Sequence, residues 1–94
     1  MSKPILGIIG GGQLGSMLAM AAKKVDIKTI VLSDDKNAPA QKFSDQFICA
    51  KYDNEQAINQ FANISDIVTF EFENIPYETL NEINKKKLFY QNPL

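Results

Sequence analysis

The amino-acid sequence predicts an α/β fold, a three-layer sandwich in which a parallel sheet of four to five strands carries helices on both faces. Two observations point there. Short apolar runs alternate with stretches of helical periodicity along the 94 residues, and such alternation implies parallel strands joined by helical crossovers. The runs are apolar throughout rather than at every second residue, as strands buried on both faces require. Residues 1–94 are expected to form one domain, within the usual size range of a single core.

Ile5-Leu6-Gly7-Ile8-Ile9 follows Pro4, ends in glycines and is the first strand. Leu14, Met17, Leu18, Ala21, Ala22 and Val25 then recur at helical spacing and predict a helix buried on that face, with Met17 in the core. Ser16, Lys23 and Lys24 fall on the opposite face, and Met20 is expected to be partly exposed. Thr29–Leu32 is a second strand, Ser33 to Pro39 a polar turn, and Ala40 to Ser44 a single helical turn. Phe47–Ala50 is a third strand, in which Cys49 reads as a core residue. Asp53, three residues before Gln56, has the capping-box spacing for a helix that buries Ala57, Ile58, Phe61 and Ala62. Asp66 leads into Ile67–Phe70, a fourth strand, and Glu71-Phe72-Glu73-Asn74 follows as a loop. Pro76 suits the first turn of another helix, running through Leu80 and Ile83 to Lys85–Lys87. Leu88–Tyr90 is a candidate fifth, edge strand. Right-handed crossovers favour the order 3-2-1-4, with the fifth strand beside the fourth.

Gly10-Gly11-Gly12-Gln13-Leu14-Gly15 satisfies G-x-G-x-x-G between a strand and a helix, the context that gives this pattern meaning and makes the fold Rossmann-like. Gly10 permits the tight turn, Gly12 admits a ligand to the backbone, and Gly15 permits close helix–strand packing. The helix N-terminus offers amides and a positive dipole end to an anion. Gly10 and Gly11 are secondary candidates for the same site. The fourth strand flanks the first, so Glu71, Glu73 and Asn74 are expected beside the turn, with one of the two carboxylates facing the ligand. A carboxylate repels a bare phosphate but accepts strong hydrogen bonds from hydroxyls or an amine. The ligand indicated has an anionic end and a hydroxyl-rich or amino-bearing body, such as a sugar phosphate or ribonucleotide. Asp34 or Asp35, at the end of the second strand, has the spacing to hold the ribose of a dinucleotide instead, though both read more naturally as turn residues.

Ten lysines, no arginine and a net charge of -1 exclude a nucleic-acid surface. One cysteine excludes an internal disulfide and fits a cytoplasmic setting. No apolar run is long enough to cross a bilayer. Without histidine, Ser/His/Asp and Cys/His catalysis are excluded, and no zinc or iron site is expected.

Gly7–Gly15, Met17-Leu18-Ala19 and Thr69-Phe70-Glu71-Phe72-Glu73-Asn74-Ile75-Pro76 resemble the N-terminal, pre-ATP-grasp domain of the 5-(carboxyamino)imidazole ribonucleotide synthase family, in the ATP-grasp superfamily. Pro39-Ala40 and Ser44-Asp45 resemble the same family's segment after the second strand. The resemblance covers essentially the whole chain. It implies a ligase of purine biosynthesis that uses ATP and bicarbonate to carboxylate 5-aminoimidazole ribonucleotide. It further implies substrate contacts from Gln13 and Leu14, ribose binding by Glu73, and a homodimeric full-length enzyme. ATP and magnesium would be held by ATP-grasp domains that this chain lacks, so no catalytic residue and no cofactor are expected within it. The chain by itself is expected to be inactive. The family commonly has arginine where this sequence has Ser16. Two other readings stay open: a nicotinamide-dinucleotide module of an oxidoreductase, controlled by Asp34 or Asp35, and a non-enzymatic domain that binds a phosphorylated metabolite.

Overall fold

The computed structural model describes residues 4–70, Glu78, Asn81 and Ile83, and the backbone of Leu88–Tyr90. The elements are β1 (Ile5–Ile9), α1 (Gln13–Lys24), β2 (Lys28–Ser33), a 3-10 turn (Pro39–Lys42), β3 (Gln46–Cys49), α2 (Glu55–Ile64), β4 (Ile67–Phe70) and β5 (Leu88–Tyr90). The strands form one sheet in the order β3-β2-β1-β4-β5, parallel at every pairing. That is the order expected from the crossovers, and the fifth strand is present. Glu78, Asn81 and Ile83 are helical, between β4 and β5. Pro76, Leu80 and Lys85–Lys87 of the expected helix lie outside the described residues.

Alternate residues of the strands feed two cores. On one face, Ile9, Ile30, Leu32 and Val68 pack with Ile58 and Phe61 of α2 and with Ile83. On the other, Ile8 and Val31 pack with Ala19 of α1 and Ala40 of the 3-10 turn. Among the described residues, Phe61 is the largest fully buried side chain. Gly7 makes room for it: a Cβ there would collide with the Ser65 hydroxyl and come within 2.8 Å of the Phe61 ring.

The two helices meet the sheet differently. Ala57, Ile58, Phe61 and Ala62 of α2 are buried, as its periodicity predicts. The expected inner face of α1 holds for Ala22, which is buried, and for Leu18, which packs against the core, and is corrected elsewhere. The residues that α1 buries are Gly15, Ser16, Ala19 and Ala22. Met17, expected in the core, is 57% exposed, and Leu14 and Val25 are exposed as well. Ser16, expected on the polar face, points inwards. Small residues let α1 lie close to the strands, so the bulkier stripe is left outside.

α1 ends in a hydrogen-bonded cap. The amide of Ile27 donates to the Ala22 carbonyl (2.8 Å) and that of Asp26 to the Lys23 carbonyl (3.1 Å). This is the Schellman pattern, with Asp26 in the left-handed region at φ 64°. α2 is capped by Asn54, not by Asp53: the Asn54 Oδ1 accepts from the Ala57 amide at 3.1 Å. The capping residue therefore stands one position later than expected, and neighbouring Asp and Asn are near-equal caps. Cys49 is exposed at the end of β3, an outer strand of the sheet, rather than in the core.

A Ser-Asp pair precedes each of the strands β3 and β4. Ser65 Oγ donates to the Phe61 carbonyl (2.8 Å), and Ser44 Oγ to the Gln41 carbonyl (3.2 Å), so each serine closes the helical turn before it. The aspartates then engage the neighbouring strands. Asp66 Oδ2 accepts from the Ile5 amide, and Asp45 Oδ2 from the Thr29 amide.

Candidate functional site

β1 runs out of the sheet at Ile9 and reverses through three glycines into α1. The Gly10 amide still donates to the Leu32 carbonyl at 2.8 Å, continuing the ladder with β2. Its φ of 108° lies in a region that only glycine enters without strain. Gly11 is fixed by packing. A Cβ on it would stand 2.5 Å from the Ala38 Cβ and 3.0 Å from the Ser33 Cβ. Its carbonyl accepts from the Ala40 amide at 3.0 Å, so the segment after β2 clamps the turn. Gly12 is the N-cap of α1, and its carbonyl accepts from the Ser16 amide at 2.9 Å. It has no side chain to cover the helix end, and the first turn of α1 contains no acidic residue. Gln13 and Leu14, exposed, and Gly15, buried, complete that turn. The positive end of the helix dipole thus stands without a carboxylate of its own, an arrangement that favours an anion.

A cleft of about 260 Å3 opens beside this turn at the carboxyl ends of β1 and β2, lined by Gly11, Gly12, Ser33, Asp34, Asp35, Ala38, Pro39 and Tyr52. Its far wall is acidic and hydroxylated, which suits a hydroxyl-bearing group rather than phosphate. Asp35 is engaged locally: its Oδ1 accepts from the Asn37 amide (2.9 Å) and its own amide donates to Ser33 Oγ (3.2 Å). Asp35 is thus a turn residue first. Asp34 is exposed. Ser33 and Tyr52 were not singled out from the sequence. Ser33 looks like a turn residue there, and Tyr52 reaches the cleft only because β3 returns the chain to the carboxyl end of the sheet.

On the other side of β1, Phe70 is paired with Ile9, so β4 ends level with the start of the turn. The candidates Glu71, Glu73 and Asn74 lie outside the described residues. A second depression of about 720 Å3, between β3 and α2, is lined by amides such as Asn54, Gln56, Gln60 and Asn63 and by no charged side chain. It therefore offers an anion amide donors but, among the described residues, no positive charge. Among the described residues, no group of three or more His, Cys, Asp or Glu is placed to hold a metal, and no helix is long and apolar enough to cross a membrane.

The described groups around the turn that could hold and orient a ligand are the backbone at the start of α1 and the side chains of Ser33, Asp34 and Asp35. Known proteins carry the same frame. The model of the ribonucleotide synthetase preATP-grasp domain matches residues 1–93. The N5-carboxyaminoimidazole ribonucleotide synthase of Staphylococcus epidermidis is 51% identical over 80 residues, covering 85% of this chain and 21% of that protein. The corresponding synthetase of Staphylococcus aureus, solved with ADP, superposes with a TM-score of 0.86 at 41% identity over 94% of this chain and 25% of that one. The synthase of Aspergillus clavatus, solved with ADP and 5-aminoimidazole ribonucleotide, gives a TM-score of 0.81 at 31% identity over 93% of this chain and 23% of that one. The chain thus spans about a fifth of the length of the curated relative.

Proposed function

Because the chain belongs to the ribonucleotide synthetase preATP-grasp family, we propose that it is the ribonucleotide-binding part of an ATP-dependent ligase that carboxylates 5-aminoimidazole ribonucleotide with bicarbonate. The observation that carries this reading is the start of α1, where Gly12 supplies no capping side chain and the first turn holds no acidic residue, against an open cleft. The relative solved with 5-aminoimidazole ribonucleotide keeps the same fold. In this reading the backbone of Gly12–Gly15, with Gln13 and Leu14, receives the ribonucleotide, and Glu73 and Asn74 hold its hydroxyls, with Gly10, Gly11 and Glu71 adjoining. The chain orients the substrate amine. ATP and magnesium ions, bound by domains beyond the matched segment, would activate bicarbonate there, and the full-length ligase would act as a cytoplasmic homodimer. The 94-residue chain alone then has no turnover. Nothing in the site favours the nicotinamide or the non-enzymatic reading over this one.

An amide-resolved NMR titration tests the reading. With 5-aminoimidazole ribonucleotide, shifts are expected at residues 10–15 and 71–74 and not with NADH. Shifts with NADH that extend to Asp34 would overturn it.

A further inference from the structure

Gly11 has no side chain, yet three neighbours fix its peptide group. Ala38 and Ser33 fill the space that a Cβ would need, and the Ala40 amide donates to the Gly11 carbonyl at 3.0 Å. Ala40 is fully buried and packs with Ile8, Ala19 and Val31. The donor is thus anchored in the core, and its bond to Gly11 is shielded from water.

That bond also sets the direction of the next amide. In a trans peptide the C=O and N–H point in opposite directions, and no peptide bond among the described residues is cis. With the Gly11 carbonyl held towards the 3-10 turn, the Gly12 N–H points away from it. The 3-10 turn follows β2, and β1 lies between β2 and β4, so this amide is aimed towards the β4 flank. On the β2 side, the Gly10 N–H is taken by the Leu32 carbonyl, and the Gly11–Gly12 peptide presents its oxygen. Asp34 and Asp35 line the cleft on that same side. An anion there would meet oxygens where it needs amides.

We propose that Ala40 is a positioning residue. Its amide, acting through the Gly11 carbonyl, holds the Gly11–Gly12 peptide so that the turn receives the anionic end of its ligand from the β4 flank and not from the β2 cleft. This rests on the ribonucleotide reading of the site and adds to it the side from which the anion enters. Reversing the peptide would turn the Gly12 amide towards Asp34 and Asp35, the side on which a dinucleotide ribose would lie. No step of chemistry is assigned to Ala40.

The test replaces one N–H by an oxygen and leaves every side chain in place. Cys49 is the one cysteine, so residues 1–48, made as a thioester, can be ligated to residues 49–94 at a native junction. In one product L-lactate replaces Ala40, an ester that cannot donate to Gly11. In a control, L-phenyllactate replaces Phe43, whose amide donates to the Ala40 carbonyl at 3.1 Å. Without ligand, the dipolar coupling of the Gly12 N–H in an aligned NMR sample reads the orientation of the peptide. It is expected to change in the Ala40 ester and to match the unmodified chain in the Phe43 ester. An unchanged Gly12 coupling in the Ala40 ester overturns the proposal, whatever the chain binds. So does an equal change in the Phe43 ester, which would reduce the role of Ala40 to general support of the segment.

With 5-aminoimidazole ribonucleotide, the Ala40 ester is expected to bind about tenfold more weakly, and the Phe43 ester as tightly as the unmodified chain. Equal affinities in all three overturn the proposal. Linkage demands the converse: saturating ribonucleotide should slow hydrogen exchange of the Ala40 amide in the unmodified chain by the same factor. Should the Ala40 ester not fold, this exchange measurement decides, and an Ala40 amide indifferent to the ligand overturns the proposal. An unmodified chain that binds no ribonucleotide, together with a reoriented Gly12 amide in the Ala40 ester, would sink the substrate reading while supporting the positioning role.

Discussion

Asp66 and Ile5 exchange two hydrogen bonds at the amino-terminal end of the sheet: the Asp66 amide donates to the Ile5 carbonyl at 2.8 Å, and the Ile5 amide donates to Asp66 Oδ2 at 2.7 Å. Asp45 repeats the arrangement with Thr29, at 3.1 and 2.8 Å. Each aspartate stands immediately before a strand, β4 or β3, and fastens it to the neighbour nearer the middle of the sheet, β1 or β2. Both staples sit at the end of the sheet opposite the glycine turn.

Asp66→Ala and Asp45→Ala should each cost about 1 kcal/mol, the usual worth of a partly exposed hydrogen bond. Three strand spacings, ~14 Å, separate them, so the double variant should show a simple sum. Urea melts of the three variants check this, and ligand binding should be unaffected in all of them.

Gly11→Ala should destabilise by about 1–3 kcal/mol, because the new methyl meets the Ala38 Cβ at 2.5 Å and pushes away the segment that clamps the turn. Gly11→Ala combined with Ala38→Gly removes that collision and should recover a large part of the loss. Thermal melts of the single and double variants decide it, and equal Tm values for the two would contradict the proposed contact.

Glu73→Lys should weaken 5-aminoimidazole ribonucleotide at least tenfold, because it replaces an acceptor for hydroxyls by a donor. Asp34→Lys, in the cleft at the end of β2, should matter less. Calorimetric titration of both variants is the measurement, and a reversed ranking would move the sugar to the β2 side.

Ser16→Arg should tighten the same ligand by about tenfold, as a charged hydrogen bond allows. Ser16 is buried in the first turns of α1, and side chains on a helix lean towards its N-terminus, so an arginine there has to swing back over the glycine turn, at a cost in stability from crowding against the sheet. The gain should fade in high salt; an affinity indifferent to salt would mean the guanidinium does not reach the anion.

The fold was legible because the strands are mostly unbroken apolar runs and because α2 has a single apolar stripe, Ala57, Ile58, Phe61 and Ala62. α1 misled for a physical reason. Its expected face, Leu14, Met17, Leu18, Ala21, Ala22 and Val25, overlaps the face it buries, Gly15, Ser16, Ala19 and Ala22, at Ala22 only, with Leu18 packed at its edge, and periodicity ranks faces by bulk. Close approach of helix to sheet ranks them by smallness, and the second face won. Cys49 looked internal because strand residues with apolar neighbours usually are; at the end of an outer strand the rule fails. Of the candidate site, the glycine turn could be read from spacing alone. The cleft wall formed by Ser33 and Tyr52 could not, since it depends on where β3 returns the chain.

The pairing of β1 also bears on how the chain is made. β1 is synthesised first, yet it lies between β2 and β4, and its partner across β4, Leu6 to Ile67, is sixty-one residues further on. At translation rates of about 5–20 residues per second, that partner follows several seconds behind. During this interval the backbone of β1 can be paired on the β2 side only. The nascent chain therefore passes through a stage in which its most apolar strand has an open flank, and a chaperone that recognises extended apolar segments should engage it there and release it once β4 has emerged.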